Sequence, residues 1–339
     1  MTPQATDLKA KPSYLALLES GELHERVLAL KALLSPCRLC PHRCGADRTK
    51  GRTGRCRVKG AMVATATAHF GEEPEVSGTK GAGTIFFRSC NLACIYCQNH
   101  QISQSPIEGE PDPPEAIAGH MLALAERGCH NIAWVTPSHV VPDLVEGLEL
   151  AARSGLDLPI VYNTSGYDSV ETLRLLQGVV DVYLPDLRYS DDLEARRLSG
   201  VKGYVAAARA AILEMARQVG TENVLGPDGT IRRGLIIRLL VLPNDLAGVR
   251  DSLRFIKAEL GTSVRVALLS QYYPTHKAFS EVLLSRPVGL GEYMRVVEFA
   301  ERLGFEHALW QEPSSSDFYR PEFDRGQEPF PDAKEFQAR

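Results

Sequence analysis

The sequence has no surplus of positive charge and no long apolar run. Its 339 residues include 38 lysines and arginines against 42 acids, a formal net charge of −4, so the composition offers no basic excess for a nucleic-acid backbone or an anionic membrane. No stretch approaches the roughly 20 apolar residues of a membrane span, and the opening MTPQATDLKAKPSYLALLES lacks the continuous apolar core of a secretion signal. These absences predict a cytoplasmic protein with no membrane segment and no evident nucleic-acid partner. What is present is ordinary for a globular chain: 44% hydrophobic and 24% charged residues, in a length that suits one large α/β domain or two smaller ones. Cysteine is unevenly spread, with seven of the eight between Cys37 and Cys97 and only Cys129 apart. Such clustering in a long cytosolic-looking chain points to metal rather than to disulfides.

Residues 13 to 34 read as one amphipathic helix, with Leu15, Leu18, Leu23, Val27, Leu30 and Leu34 at helical spacing. From Ser35 to about Gly60 that pattern stops, and CRLCPHRCGADRTKGRTGRCRVKG is too polar to fold by apolar burial alone. Past Gly83 short β-branched runs alternate with helical ones. TIFFR, NIAWVT, LPIVYN, VVDVYL, LIIRLLVLP and VRVALLS are six expected strands, with helices expected near 113–127, 142–154, 169–177, 206–219, 246–260 and 291–303. That alternation predicts a parallel α/β sheet buried on both faces, which is why the runs are hydrophobic throughout.

In a parallel barrel the functional groups collect at the C-terminal strand ends. Those ends carry Ser89-Cys90, Thr136-Pro137-Ser138-His139, Asn163-Thr164-Ser165-Gly166, Pro185-Asp186, Pro243-Asn244 and Gln271-Tyr272-Tyr273. The first runs into CNLACIYC, which spaces Cys90, Cys94 and Cys97 as C-x3-C-x2-C. Three thiolates on one loop suit an iron-sulfur cluster with one iron left open to a ligand; a structural zinc loop, or a fourth thiolate such as Cys129, is the alternative. Arg238 stands inside a strand, where a charge needs a partner: an anionic ligand, or an acid such as Asp186.

The signature around Cys90, Cys94 and Cys97, with Tyr96 before the last cysteine, resembles the radical S-adenosylmethionine (SAM) superfamily. The strings HFGEEPEVSGTKGAGTIFFRSCNLACIYCQNHQIS, VTPSHVVP, LPIVYNTSGYDSVETLRLL, VDVYLPDLRY, IRLLVLPN and LLSQYYP narrow the likeness to pyruvate formate-lyase activating enzyme-like proteins, over about residues 37–310. The resemblance implies a partial (β/α)6 TIM-like barrel in which Cys90, Cys94 and Cys97 bind a [4Fe-4S] cluster, SAM chelates the open iron and Tyr96 lies near the adenine. One electron, from a reductant such as flavodoxin or ferredoxin, then cleaves SAM to methionine and a 5'-deoxyadenosyl radical that abstracts hydrogen. It places Ser138 and His139, with Thr136, where the superfamily has a glycine-rich turn for the SAM amino group; the glycines and the acid of that turn are absent here. By the same likeness Arg238 and His276 stand where activase residues approach SAM. Asn163, Thr164 and Asp186 match a monovalent-cation site, with asparagine replacing an aspartate.

Cys37, Cys40, Cys44 and Cys56 form a second set, C-x2-C-x3-C-x11-C, which suits either tetrahedral zinc or a second, fully ligated iron-sulfur cluster. His42, in the same loop, is an alternative ligand. Either metal would staple a segment with little core of its own. The expected organisation is an N-terminal helix plus Cys-rich metal segment over 1–60, a radical SAM barrel over 61–312 and a C-terminal tail over 313–339. Three functions follow: an activase taking hydrogen from a glycine of a partner glycyl radical enzyme, with an open barrel side; a radical SAM enzyme acting on a small molecule or peptide, its mouth covered by the N-terminal helix and Cys-rich segment; or an iron-sulfur electron carrier, for which so long a barrel would be superfluous.

Overall fold

The computed structural model describes residues 11–317, 320–325 and 329–330. It opens with two helices, Tyr14–Ser20 and Glu22–Ala32, where the apolar spacing predicts one. The break is Gly21, whose φ of 82° ends the first helix in the left-handed region that glycine tolerates best. The buried stripe of Tyr14, Leu23, Val27 and Leu30 packs on the helix Val141–Arg153. The Tyr14 hydroxyl reaches the carbonyls of Leu156 and Leu158 at 3.1 and 3.0 Å, and the Ser13 N–H donates to Asp181 Oδ1 at 2.8 Å. Those partners lie just before the fourth and fifth strands, so the N-terminal helices brace the barrel's N-terminal end. They do not cover the mouth.

Among the described residues nine strands form the sheet: β1 (Val63–His69), β2 (Ala82–Phe87), β3 (Ile132–Val135), β4 (Ile160–Thr164), β5 (Val182–Pro185), β6 (Val224–Leu225), β7 (Ile231–Leu240), β8 (Arg265–Leu269) and β9 (Leu309–Trp310). Their order is β1-β2-β3-β4-β5-β7-β8-β9, with β6 beside β7. The six strands legible in the sequence are β2, β3, β4, β5, β7 and β8, each parallel to its neighbour. Helices Pro114–Glu126, Val141–Arg153, Val170–Leu175, Tyr204–Val219 and Val249–Leu260 connect them. Because the order is linear, this is an open, partial TIM-like barrel. The antiparallel β1 lies on its first edge.

The pleat sorts the strand residues into two sets. Trp134, Ile160, Tyr162, Tyr183, Ile237 and Leu239 point to the helices and join one large core that also takes in Tyr14, Cys37 and Cys56. Ala133, Val161, Val182, Leu184, Ile236 and Ala267 point to the barrel interior. Asn163 follows Val161 by two, and Arg238 follows Ile236 by two, so period-two alternation delivers both polar side chains inward at the C-terminal end. Asp186 is bridged to Arg238 in parallel pairing and completes that inward layer.

The expected tail from residue 313 lies only partly within the described residues. The described part returns across the barrel mouth: the Ser270 hydroxyl donates to the Glu312 carbonyl at 2.7 Å, and Gln101 Nε2 to Asp324 Oδ2 at 2.6 Å. Phe323 and Phe330 pack on Phe86, with ring centroids 5.2 and 5.9 Å away.

Candidate active site

Two residues past the end of β2 stands Ser89, held at φ 70°, a conformation that costs a non-glycine residue about 1 kcal/mol or more. Its N–H donates to the Ile102 carbonyl at 2.9 Å and its hydroxyl to the Cys56 carbonyl, so the loop that follows is held from two sides. Each sulfur of that loop has a donor. The Leu92 N–H meets Cys90 Sγ at 3.3 Å, the Ser199 hydroxyl meets Cys94 Sγ at 3.0 Å, and the Ser103 hydroxyl lies 3.2 Å from Cys97 Sγ. None of the eight cysteines is in a disulfide. Burial, reinforced by neighbouring Cys94, pushes the Cys90 thiol far up and that of Cys97 to about 11. One buried thiol, Cys94, and two half-buried ones, each with a donor at its sulfur and lacking only a positive charge to hold it as a thiolate, form a donor set that fits an iron-sulfur cluster.

A cavity of about 830 Å³ opens beside the loop. Of the residues singled out in the sequence, Tyr96, Cys97, Thr136, Asn163, Thr164, Asp186, Arg238, Gln271 and Tyr272 line it, while Cys90, Cys94, Ser138, His139 and His276 do not. The Tyr96 hydroxyl is 2.6 Å from that of Tyr189, which is 2.6 Å from Ser199 Oγ. The aromatic ring is thereby tied through Ser199 to Cys94. His276 stacks on His100 at 4.8 Å and meets Gln104 Oε1 at 3.3 Å, outside the cavity.

The turn after β3 presents Thr136 to the cavity at φ 54° and turns the next residues inward to the protein. Ser138 Oγ lies 3.3 Å from Thr164 Oγ1, and His139 Nε2 is 3.1 Å from the Arg88 carbonyl. Burial lowers His139 to about 4, which keeps it neutral.

Each guanidinium nitrogen of Arg238 has a partner in the protein itself. Its Nε donates to Asp186 Oδ1 at 2.8 Å, Nη1 to Glu72 Oε2 at 2.8 Å and Nη2 to Asn163 Oδ1 at 2.5 Å. Burial opposes the charge, but Asp186, Glu72 and Glu73 outweigh it and raise the guanidinium's pKa further. The two side chains matched to a cation site, Asn163 and Asp186, thus already hold a fixed cation between them. Thr164 is also engaged, donating to Asp168 Oδ2 at 2.6 Å. The other Asp186 oxygen takes Arg188 Nη2 at 2.6 Å, and Arg188 Nη1 lies 4.0 Å from Cys94 Sγ. Asp186 therefore links the inward layer of the barrel to the cysteine loop.

Sequence reasoning missed Glu72, Glu73, His69 and Arg188, all of which line the cavity. The first three lie at or just after the end of β1, in the string HFGEEPE, whose paired acids were the available signal. Glu73 is buried with Oε2 lacking a partner among the described residues, and burial, only partly offset by Arg238, raises its carboxyl to about 7. Cys129 packs against Gly83, at the N-terminal end of β2. Cys90 lies seven residues further on, roughly 20 Å along an extended chain, so Cys129 is no fourth ligand of the loop.

The second cysteine set is looser. Cys37 and Cys56 are buried, Cys40 half-buried and Cys44 exposed. Cys44 and Cys37 share a hydrogen bond, and burial with the neighbouring thiols raises Cys40 to about 12. A Cβ at Gly54 would collide with Cys44 Sγ, so this thiol needs glycine beside it. Neither here nor in the three-cysteine loop, nor elsewhere among the described residues, are three Cys, His, Asp or Glu side chains drawn together as a single metal ion holds its ligands. His42 points elsewhere, its Nε2 2.7 Å from the Asn91 carbonyl.

No helix among the described residues is long and apolar enough to cross a membrane. The radical SAM superfamily domain matches residues 84–237, the stretch from β2 into β7 that carries the cysteine loop. An uncharacterised protein of Methanocaldococcus jannaschii is 30% identical over 287 residues, covering 83% of this chain and 79% of its own length. With that match set on a cysteine loop whose sulfurs are all approached by donors, the chain carries a radical SAM superfamily domain, the domain of enzymes that bind SAM and a [4Fe-4S] cluster.

Proposed function

We propose that Cys90, Cys94 and Cys97 ligate the cluster, that SAM occupies the adjoining cavity, and that the substrate is a small molecule or short peptide. When bound, the cluster and SAM together supply a one-electron reductive cleavage that gives methionine and a hydrogen-abstracting 5'-deoxyadenosyl group. The chain's own residues position and shield. Tyr96, Tyr189 and Ser199 form a hydroxyl chain ending on Cys94. Arg238 acts as a positioning residue, fixing Asp186 and Asn163 on the cavity wall. Thr136 offers the backbone and hydroxyl of a left-handed turn where a SAM amino group would lie, in place of a glycine-rich one.

The observation that carries the choice of substrate is the cover. Glu312, Ser315, Pro321 and Phe330 line the cavity from the returning C-terminal segment, and its volume falls in the roughly 300–1,000 Å³ range of small-molecule sites. A glycine loop of a partner glycyl radical enzyme would have to displace that segment. The Cys37, Cys40, Cys44 and Cys56 set we assign to a structural metal, zinc or a second cluster.

The test is iron content and the electron paramagnetic resonance of anaerobically reconstituted protein. Wild type should show a reduced [4Fe-4S] signal that changes on adding SAM; the variant lacking Cys90, Cys94 and Cys97 should lose that SAM-sensitive signal and keep whatever the Cys37, Cys40, Cys44 and Cys56 set binds. A SAM-sensitive signal in the triple variant would sink the assignment.

A further inference from the structure

The chain as a whole is acidic, yet residues 37–59 hold eight of its 38 basic residues and one of its 42 acids. Arg43, Lys50, Arg52, Arg55, Arg57 and Lys59 are exposed. Asp47, Glu171 and Glu110 offset Lys50, Arg43 and Lys59, whereas Arg52, Arg55 and Arg57 have no carboxylate partner among the described residues. Two of these arginines stand directly behind the cysteine loop. Arg55 Nη2 donates to the Gly200 carbonyl at 3.2 Å, next to the Ser199 whose hydroxyl meets Cys94 Sγ. Arg57 Nη2 donates to the carbonyl of Ser103 at 3.1 Å, and the hydroxyl of that serine lies 3.2 Å from Cys97 Sγ. Exposed Lys202 and Lys277 flank the same loop, the Lys277 N–H bonding the Ile95 carbonyl at 2.9 Å. No residue of 37–59 lines the cavity. The thiols therefore lie between a substrate chamber and a separate positive surface.

We propose that this basic face docks an acidic one-electron carrier protein, which delivers its electron to the three-cysteine loop from the side that does not face the cavity. The inference rests on the cluster assignment above. The carrier loses one electron and the cluster gains one; no atom or proton crosses the interface. Complementary charge steers such encounters and can raise their rate by ten- to a thousandfold, an effect that salt removes. An anionic nucleic acid could meet the same charges, but only an electron donor has reason to meet them at the back of the thiol loop.

The test uses the full chain, reconstituted without oxygen, with reduced flavodoxin as the probe. Its binding is followed by calorimetry, which needs no electron transfer, and its oxidation by stopped flow, at rising ionic strength. Affinity and rate should both fall roughly tenfold or more as the Debye length shrinks toward about 3 Å in ~1 M salt. The Arg43→Glu, Arg52→Glu double variant should show a comparable loss even at low salt. Dithionite, which needs no docking, should reduce variant and wild type alike. Salt-insensitive flavodoxin binding, a double variant that binds flavodoxin as wild type does, or an RNA oligonucleotide that displaces flavodoxin at lower concentration would overturn the proposal. Failure of dithionite to give a reduced cluster in wild type would instead count against the cluster assignment, and calorimetry would still decide the docking.

Discussion

Cys90, Cys94 and Cys97 sit where a buried parallel strand ends, with hydroxyl and backbone donors from Ser199, Ser103 and Leu92 already at their sulfurs. Cys37, Cys40, Cys44 and Cys56 sit on a charged segment whose Cys44 is exposed and whose thiols meet backbone donors of that same segment, at Leu39, His42, Ala46 and Arg55, as well as one another. The first site is tied to the barrel through Ser199, 105 residues along the chain from Cys94, whereas the second takes its donors from its own segment. The same division runs through the charges: at the barrel mouth Arg238, Arg188, Asp186 and Glu72 neutralise one another, while Arg52, Arg55 and Arg57 face outward.

Substitution within the two sites breaks this comparison most sharply. Cys94→Ala should abolish SAM cleavage while circular dichroism and melting stay close to wild type. Cys40→Ala should leave SAM cleavage measurable and lower the melting temperature. Equal loss of activity in both, without unfolding, would make the second site an electron relay. Chelation extends the contrast: stripping metal should raise hydrogen exchange across residues 37–59 and leave β3 to β5 protected.

Next in size is the mouth itself. Arg238→Met removes one partner of a buried charge network and should destabilise the protein by about 3–5 kcal/mol in denaturant unfolding. A cost under about 1 kcal/mol would mean that Asp186 and Glu72 are solvated in solution.

Glu73 supplies a pH test of the same region. Its carboxyl is raised by burial to about 7 from 4.5, so between those values the native state binds a proton that the unfolded chain does not. Stability must then fall as pH rises from about 5 to 7, by up to about 1.4 kcal/mol per unit, and level off above. Glu73→Gln should flatten that slope, read from urea midpoints across the range; an unchanged slope would place the titration elsewhere. The smallest expected effect lies in the second site, where Gly54→Ala forces a methyl against Cys44 and should cost about 1–3 kcal/mol. That loss should vanish in protein stripped of metal, if the metal is what the packing serves.

The six parallel strands were legible because burial on both faces leaves unbroken apolar runs such as LIIRLLVLP. The antiparallel β1 was not: VATATAH is alanine and threonine, half-buried in alternation. That omission hid the site's acids, since Glu72 meets Arg238 across 166 residues only because β1 lies against β2. The cysteine loop stood out by its spacing, which left zinc and an iron-sulfur cluster both open until the resemblance to the radical SAM superfamily favoured the cluster. Ser138 and His139 were not placeable, because the left-handed turn at Thr136 decides which of four consecutive polar residues faces the cavity. Pairing of Arg238 with Asp186 was one of two readings open in the sequence, and the inward layer of β4, β5 and β7 favours it.

The central claim is that the Cys90 loop initiates radical chemistry on SAM, and its most direct test is product analysis. Protein purified and reconstituted without oxygen, reduced with dithionite and given SAM, should form 5'-deoxyadenosine and methionine in equal amounts, and Cys94→Ala should form neither. Wild type that carries a full [4Fe-4S] cluster yet yields no 5'-deoxyadenosine would contradict the account.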